Sequence, residues 1–343
     1  MSNDGRETVG NNLCTHARDG IQDAGQSQAL FTEVCGSEWQ SNGEFECPYR
    51  GGFKCQGPPD RDTNTSTPPS TGNDYTTPVF EDNFSDSSLS SVWNTPGWPA
   101  SYRPAIFTRD QCDEEGGRLR LTAERVGDEV HSCFAILDYL VGPGSGQTKI
   151  EVRANVSQLQ AEGGWFAAWL QTLGDQGDPY DNNPSTGTEV DIMEYVPYNG
   201  PYQFAGGDQR DFRNQYHVAT HVVDGTGGFS PGDNGFVDMN QQGVNLRSGD
   251  NVFAVEWNAS CQVFTVNGRT IFTNRQGVST AKVHRPVLSI EMSNASNPEH
   301  GRLYNQWGFA SGQFADNLRS APAVATVDYI KIYEKDTPDN LCG

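Results

Sequence analysis

The chain has 343 residues, with 44 acidic against 23 basic side chains and a formal net charge of -21. This balance argues against a nucleic-acid partner, which needs a basic surface, and no apolar run is long enough to cross a membrane as a helix. The eight cysteines are widely spaced and even in number, which favours disulfide bonds over a zinc site and predicts a secreted, extracellular protein.

Residues 1–55 contain four cysteines but little periodic apolar pattern. So short a segment lacks the core area to fold by burial alone, so we expect a small module held by disulfides. Its aromatic side chains could stack on sugar rings, or the module could cap the main domain, and the sequence leaves both open. Residues 56–78 have the Pro, Thr and Ser content of a linker, and residues 336–343 are expected to be a short tail.

Short apolar runs separated by turn residues follow from residue 79 to residue 335. The clearest runs are residues 118–123, 149–156, 252–257, 262–266, 287–292 and 326–333. The dipeptide Asn267-Gly268 between two such runs is a strong hairpin signal. Many short strands with hardly any helical pattern predict an all-β antiparallel sandwich of two sheets. The long polar segments 174–188 and 197–250 are expected to be loops that frame an open cleft.

Three carboxylates lie within six residues in the segment 189–194, which reads EVDIME. In a regular strand Glu189 and Asp191 share a face and Glu194 points the other way. A β-bulge at Ile192-Met193 would return Glu194 to the face of the other two acids. Acids held this close have pKa values that are pushed apart, so one can stay protonated beside an ionised one, as a general acid beside a nucleophile requires. The alternative is a solvent-facing strand edge, which the apolar neighbours disfavour.

Four ring side chains occur at strand spacing on either side of these acids. Trp165 and Trp169 share a face of the run 164–170, and each could grip a sugar ring or belong to the core. His217 and His221 share a face of another predicted strand and could contact substrate or the acids, or be buried structural residues. Zinc ligation by the two histidines would need a helix and further ligands. Ca²⁺ or Mg²⁺ ligation by the acids is a further alternative, although no calcium-loop pattern is present.

The order of these motifs resembles glycoside hydrolase family 16, whose signature E-x-D-x-x-E lies on a bulged strand. Residues 189–194 match this signature, and Phe166 stands where the family's G-x-W-P-A-x-W-L motif has proline. Further matches follow in the family's order at residues 80–84, 91–93, 117–123, 164–170, 253–257, 266–268 and 327–333. The resemblance covers residues 79–335 and does not extend to residues 1–78.

The resemblance implies a β-jelly-roll with an open cleft and endo-hydrolysis of a β-linked glucan or galactan with retained anomeric configuration. Carried over by position, Glu189 is the nucleophile, Asp191 its helper and Glu194 the general acid/base. The signature and the residues after it most resemble laminarinase-type β-1,3-glucanases, with enzymes of agar, porphyran or carrageenan as the alternative. A transglycosylase and a non-catalytic glycan-binding protein remain as other classes. We expect a monomer whose partner is a polysaccharide.

The resemblance also implies a structural Ca²⁺ on the convex face, for which Glu81, the Gly117 backbone and Asp328 are the matching positions. No cofactor is expected for catalysis. Cys112 and Cys133 flank the strand that follows Gly117, and by position they are the expected disulfide pair.

Overall fold

The structure is a computed structural model. It describes residues 44–46, 54–56, 75–95, 105–159, 161–172, 188–223, 229–231, 235–297, 302–305, 307–310 and 312–342. The chain divides into two compact units, Met1–Thr71 and Gly72–Gly343. In the first unit the described residues are an antiparallel pair, β1 (Glu44–Glu46) and β2 (Lys54–Gln56). The rest of the predicted N-terminal module, and most of the predicted linker, lie outside the described residues.

The second unit is built almost entirely of strands. These are β3 (Phe80–Asp82), β4 (Trp93–Asn94), β5 (Ala105–Phe107), β6 (Cys112–Glu114), β7 (Leu119–Val126), β8 (Glu129–Leu137), β9 (Gln147–Asn155), β10 (Gly164–Thr172), β11 (Glu189–Tyr195), β12 (Asn199–Tyr202), β13 (Asp208–Asp211), β14 (Gln215–Val223), β15 (Phe229–Pro231), β16 (Gly235–Asp238), β17 (Asp250–Asn258), β18 (Cys261–Val266), β19 (Arg269–Asn274), β20 (His284–Met292), β21 (Asn294–Asn297), β22 (Arg302–Asn305) and β23 (Ala323–Lys335). The described helical segments are the 3-10 turns Arg109–Gln111 and Gln203–Ala205 and the helix α1 (Phe314–Ser320). Among the described residues no helix has the length and apolar character needed to span a membrane.

The strands form two layers that we call the front and back sheets. The front sheet has the order β4-β8-β20-β10-β11-β14, with β15 and β16 both paired to β14. The back sheet has the order β7-β23-β9-β17-β18-β19, with β3 beside β23 and β6 beside β7. β8 pairs with β7 of the back sheet in its first half and with β20 of the front sheet in its second half, so it joins the two layers. The predicted two-sheet antiparallel jelly-roll is confirmed.

The two sheets enclose one apolar core because their strands alternate. In β9, Ile150 and Val152 are buried while Lys149 and Arg153 on the other face are part-exposed, the pattern of a sheet with one solvated side. In the front sheet Tyr216 packs edge-on against Phe253 of β17. β10 is different, since nearly every residue along it is buried. Its second face is therefore covered as well, and this is the face that carries the site described below.

One predicted loop region is wrong. The segment 197–250, expected to be a loop, contains β12 to β16, and β14 within it is the neighbour of the acid-bearing strand β11. The polar residues of β14 alternate with the buried Tyr216, Val218 and Thr220. Thr220 Oγ1 donates a 2.6 Å hydrogen bond to Gln262 Oε1 of the back sheet. β14 is the strand predicted around His217 and His221, so the loop prediction is wrong for β12, β13, β15 and β16. The predicted loop 174–188 lies outside the described residues except for Thr188.

Two disulfides fasten the second unit. Cys112 and Cys133 are bonded as predicted, with Cα atoms 5.0 Å apart, and link β6 to β8. Cys261 of β18 is bonded to Cys342, 81 residues away. The second disulfide ties the predicted tail to the back sheet, and the Asp339 amide reinforces it with a 2.8 Å hydrogen bond to Gln147. The tail is therefore part of the folded unit.

Candidate active site

The acid-bearing strand β11 contains the predicted bulge. β11 lies between β10 and β14 in the front sheet. On β10, Trp169 pairs with Asp191 and the next residue back, Ala168, pairs with Met193. Ile192 is therefore the extra residue, at the position that the spacing of the acids predicts. A bulge of this kind shifts the side-chain alternation by one place.

The bulge brings all three acids to one face. Directly paired residues of an antiparallel sheet point to the same side, and Glu189 pairs with His221 while Glu194 pairs with His217. His217 Nδ1 lies 2.8 Å from Glu194 Oε2. His221 Nε2 lies 2.9 Å from Asp191 Oδ2 and 3.8 Å from Glu189 Oε1. The structure thus brings the two predicted histidines together with the three predicted acids.

The acids differ in how accessible their side chains are. Glu189 keeps 19% of its side chain exposed, whereas Asp191 keeps 4% and Glu194 keeps 6%. A group that attacks a sugar must be reachable from the solvent side. Glu189 is therefore the most accessible of the three acids, and Asp191 and Glu194 are nearly buried.

Glu194 is held by two aromatic rings. Trp165 Nε1 donates a 3.1 Å hydrogen bond to Oε1 of Glu194, and His217 contacts the other oxygen. The Trp165 and His217 rings both pack edge-on against Trp307, with centroids 5.5 Å and 5.2 Å away. Trp307 thus supports both groups that orient Glu194. Sequence reasoning missed it because it lies outside any alternating run, although the closely spaced aromatics Trp307 and Phe309 in a polar stretch were a signal.

The second predicted tryptophan belongs to the floor of the site. Trp169 is 4% exposed, and its Nε1 donates a 3.1 Å hydrogen bond to Ser289 Oγ. Its ring packs edge-on against Phe134 at 5.7 Å. Trp165 is likewise only 3% exposed. Neither ring presents an open face in this structure, so a stacking contact with sugar stays a prediction for both.

His221 carries a positive charge beside the three acids, because its pKa is raised. Burial lowers the pKa of His221, but the hydrogen bond to Asp191 and the charges of Asp191, Glu189 and Glu194 outweigh burial and raise this pKa to about 10. Burial, followed by the charge of Glu194, raises the pKa of Asp191 above its ordinary value, against the opposing effect of His221. Asp191 therefore holds a proton more readily than an isolated aspartate, and the acids exchange protons as a coupled set.

His217 carries no charge at neutral pH. Burial lowers the pKa of His217 to about 4, although the charge of Asp191 acts in the opposite direction. A neutral imidazole can donate Nδ1–H to an ionised Glu194 or, in its other tautomer, accept a hydrogen bond at Nδ1 from a protonated Glu194. The 2.8 Å contact is therefore compatible with both protonation states of Glu194. A general acid that later acts as a base needs a neighbour of this kind.

The raised pKa of His221 predicts how stability depends on pH. A histidine whose pKa rises on folding, here from 6.5 to about 10, stabilises the fold fully below pH 6.5, and this contribution is lost as the pH passes through 10. We expect the free energy of unfolding, measured by urea titration, to fall between pH 7 and 10. His221→Gln should flatten this slope. His131→Gln, outside the acid cluster, is the matched control, and an unchanged slope in His221→Gln contradicts the ion pair.

The three residues predicted to bind calcium do not form a cation site. Glu81 lies beside Lys331, with its Oε1 3.1 Å from Lys331 Nζ. Asp328 binds two guanidinium groups, with 3.4 Å to Arg118 and 3.0 Å to Arg153. Gly117 adopts a left-handed turn, with φ of +75°. Carboxylates that are already neutralised by cationic side chains do not fit Ca²⁺, which needs free anionic oxygens.

An ion-pair cluster joins the strands at this place instead. Arg118 makes a bidentate contact to Asp250, at 2.9 and 2.7 Å, and Arg153 lies 3.0 Å from the same carboxylate. Both arginines also reach Asp328. The cluster connects Arg118, just before β7, with β9, β17 and β23, and it engages Asp328, one of the three positions for which the resemblance implied a metal.

This cluster predicts that the fold does not depend on calcium. We expect EDTA to leave the Tm unchanged. Asp250→Asn should reduce the free energy of unfolding by about 1 kcal/mol, the size expected for a part-exposed charge network. Glu81→Gln, which breaks one exposed pair, is the control with a smaller effect. A Tm that falls by several degrees in EDTA and recovers with Ca²⁺ would contradict the assignment.

Comparison with known proteins shows the fold. No protein-family model and no curated protein matches the chain. A glycoside hydrolase family 16 endo-glucanase from Bacteroides ovatus matches with a TM-score of 0.55 at 15% identity, over 74% of this chain and 99% of that one. The laminarinase of Flavobacterium sp. UMI-01 matches with a TM-score of 0.54 at 17% identity, over 75% and 100%. The catalytic domain of an endo-1,3-beta-glucanase (laminarinase) from Thermotoga petrophila RKU-1 gives 0.53 at 16%, over 76% and 98%.

These identities establish the architecture and not the reaction. The chain has a fold like that of glycoside hydrolase family 16 enzymes, and the resemblance predicted from its motifs is confirmed at the level of fold. The chemistry has to be argued from the site itself.

Proposed function

We propose that the protein is a retaining endo-β-glycosidase that cuts a β-linked polysaccharide by double displacement. One observation carries the proposal. The bulge at Ile192 sets Glu189, Asp191 and Glu194 on one face of the front sheet, where Glu189 and Asp191 share a contact with His221 and Glu194 contacts His217. The fold shared with endo-glucanases and laminarinases supports the same reading.

In the first step the Glu189 carboxylate attacks the anomeric carbon while Glu194 gives its proton to the departing glycosidic oxygen. A covalent glycosyl ester on Glu189 results. In the second step Glu194, now ionised, takes a proton from water, and the water oxygen attacks the same carbon. Glu189 leaves as a carboxylate, so two inversions return the original anomeric configuration.

The side chains around Glu189 and Glu194 can accommodate the change in charge of the two acids during the reaction. When Glu189 forms the ester its negative charge disappears, and Asp191 alone then balances the protonated His221 that lies 2.9 Å away. The neutral His217 needs no change of tautomer, because its Nδ1–H can donate to Oε2 of Glu194 both when the other carboxyl oxygen carries the proton and when Glu194 is ionised. Trp165 keeps its hydrogen bond to the other oxygen of Glu194 throughout. This chain's own residues therefore accommodate both half-reactions without a cofactor.

For the substrate we propose a β-1,3-linked glucan of laminarin type. The support is the resemblance of residues 189–196 to laminarinase-type sequences, and two of the solved structures with this fold are laminarinases. Hydrolysis of a marine galactan such as agar, porphyran or carrageenan is the alternative, since the region 197–250 is long and carries extra strands beside the site. The disulfides Cys112–Cys133 and Cys261–Cys342 support action outside the cell.

The test is the release of reducing ends from laminarin, lichenan, agarose, porphyran and carrageenan. We expect internal cleavage of at least one of them, with the β-anomer formed first by proton NMR. An α-anomer formed first excludes the double displacement. Release of sugar only in transfer products, with an added acceptor oligosaccharide, identifies a transglycosylase. Binding with no cleavage of any of the five leaves a glycan-binding protein.

A further inference from the structure

A polar pocket lies beside the acids at the start of β14. Its volume is about 540 Å³, and Gln215 and Asp238 are among the residues that line it. Gln215 lies two residues before His217, the residue that contacts Glu194. Since a strand rises about 3.4 Å per residue, Gln215 lies roughly 7 Å along this strand from His217. That is within the span of one sugar unit and its substituents.

Three arginines line this pocket, and in the described part of the chain two of them form no ion pair with a carboxylate, although the charge of one of these two, Arg247, helps to lower the pKa of Asp211. Arg213 is paired with Asp211 through two contacts, at 2.9 and 2.7 Å. Asp238 accepts a 2.9 Å hydrogen bond from the Asn240 amide and so is used in a turn. Within the described part of the chain, Arg210 and Arg247 make no ion pair within 4.0 Å. The lining therefore has three guanidinium groups and two carboxylates, those of Asp211 and Asp238. This gives the pocket a net positive charge in a protein whose net charge is -21.

The pocket is built from two segments that are each held in place. Arg210 lies in β13, which pairs with β12 so that Arg210 is opposite Gly200. On the other side Asn214 binds the segment before Arg247. The Asn214 side chain donates to the Val244 carbonyl at 3.0 Å and accepts from the Leu246 amide at 2.9 Å. The backbones that carry the two unpaired arginines are therefore fixed relative to the start of β14.

We infer that this pocket binds an anionic oxygen group carried by the polysaccharide, either a sulfate ester or a carboxylate. The planar fork of a guanidinium donates two parallel hydrogen bonds to such a group, which a neutral hydroxyl cannot match. Two unpaired arginines that face one cavity suit one tetrahedral or planar anion. This inference rests on the proposed function, because it treats the chain bound at the acids as the carrier of the anion. It favours an anionic polysaccharide, such as the galactan alternative, over the neutral laminarin.

The first measurement compares three forms of one backbone: laminarin, sulfated laminarin and carboxymethyl laminarin. A second set, agarose and porphyran oligosaccharides, covers the galactan backbone. We expect kcat/KM to be higher for an anionic form than for its neutral parent, and the preference to shrink as salt is raised to about 0.5 M, where screening is strong. The preferred form identifies the sulfate ester or the carboxylate as the ligand.

The variant Arg210→Gln/Arg247→Gln tests the residues. The ratio of kcat/KM for the anionic form to that for the neutral form should fall by about tenfold, the loss expected for a charge-assisted hydrogen bond of exposed arginines. Arg319→Gln on α1 is the matched control, since it removes a guanidinium outside the pocket. An unchanged ratio in the double variant, or no anionic preference in the wild type on either backbone, overturns the inference.

Binding separates this inference from the proposed reaction. Isothermal titration of the Glu189→Gln protein with the same oligosaccharides requires no hydrolysis. If the anionic forms bind more tightly and the double arginine substitution abolishes the difference, the pocket is assigned even when no polysaccharide is cleaved, and only the proposed reaction fails. Equal binding of neutral and anionic forms to both proteins overturns the pocket and leaves the reaction untouched.

Discussion

Glu189→Gln is expected to reduce kcat on every substrate by at least about 10⁴-fold, the scale seen when a covalent nucleophile is removed. A neutral amide cannot form the glycosyl ester, and no other acid can replace it because Asp191 lies beneath with 4% of its side chain exposed. The loss should be the same for polysaccharides and for aryl glycosides with good leaving groups, since both need the attack. Reducing-end release and aryl-phenol release measure the two rates.

The fold should survive this substitution. Glutamine is close to isosteric, and the nearest contact of Glu189 to His221 is long, at 3.8 Å. Thermal unfolding therefore checks that the variant is folded. Glu129→Gln on β8 is the matched control, since it makes the same substitution outside the acid cluster. Near-full activity in a folded Glu189→Gln protein would falsify the assignment of Glu189 as nucleophile.

Glu194→Gln is expected to separate the two half-reactions. Loss of a general acid costs about 10² to 10⁴-fold, so polysaccharide cleavage should fall by that amount. An aryl glycoside whose leaving group needs no proton should still form the ester quickly, and a burst of phenol should precede slow turnover. Glutamine can keep the Trp165 and His217 contacts that Glu194 makes, so the fold and the position of the side chain are preserved.

The outcome of this experiment decides which glutamate is the nucleophile and which is the general acid/base. A burst in Glu194→Gln together with no burst in Glu189→Gln supports the roles proposed here. The reverse pattern exchanges the roles of Glu189 and Glu194. No burst in either variant, with polysaccharide hydrolysis lost in both, argues against a covalent intermediate and for direct attack by water.

The spacing of the acids was enough to predict the bulge. Three acids with apolar neighbours can share a face only if one residue is added between Asp191 and Glu194, and Ile192 is that residue in the structure. The alternating runs predicted most of the strands of the two sheets, and the turn at Asn267-Gly268 predicted the hairpin of β18 and β19. These are local features, since period-two alternation and left-handed turns depend on residues close in the chain.

Local patterns failed where polar groups are satisfied by distant parts of the chain. The segment 197–250 reads mostly as loop, yet β12, β13, β15 and β16 form there beside the predicted strand β14, and Thr220 of β14 hydrogen-bonds to Gln262 in the opposite layer. The calcium prediction did not foresee the ion pairs of its residues for the same reason. Nothing near Asp328 in the sequence shows that Arg118 and Arg153 neutralise it.

The sequence by itself thus determined the fold class, the bulged strand and the identity of the three candidate acids, because all of these follow from short-range spacing. Only the tertiary structure decided how the acids differ from one another. It placed His221 against Asp191 and His217 against Glu194. It also placed Trp307, more than 100 residues from Glu194 in the chain, against the rings that hold Glu194. Burial and partner charges set pKa values, and both depend on contacts between residues that are far apart in the chain.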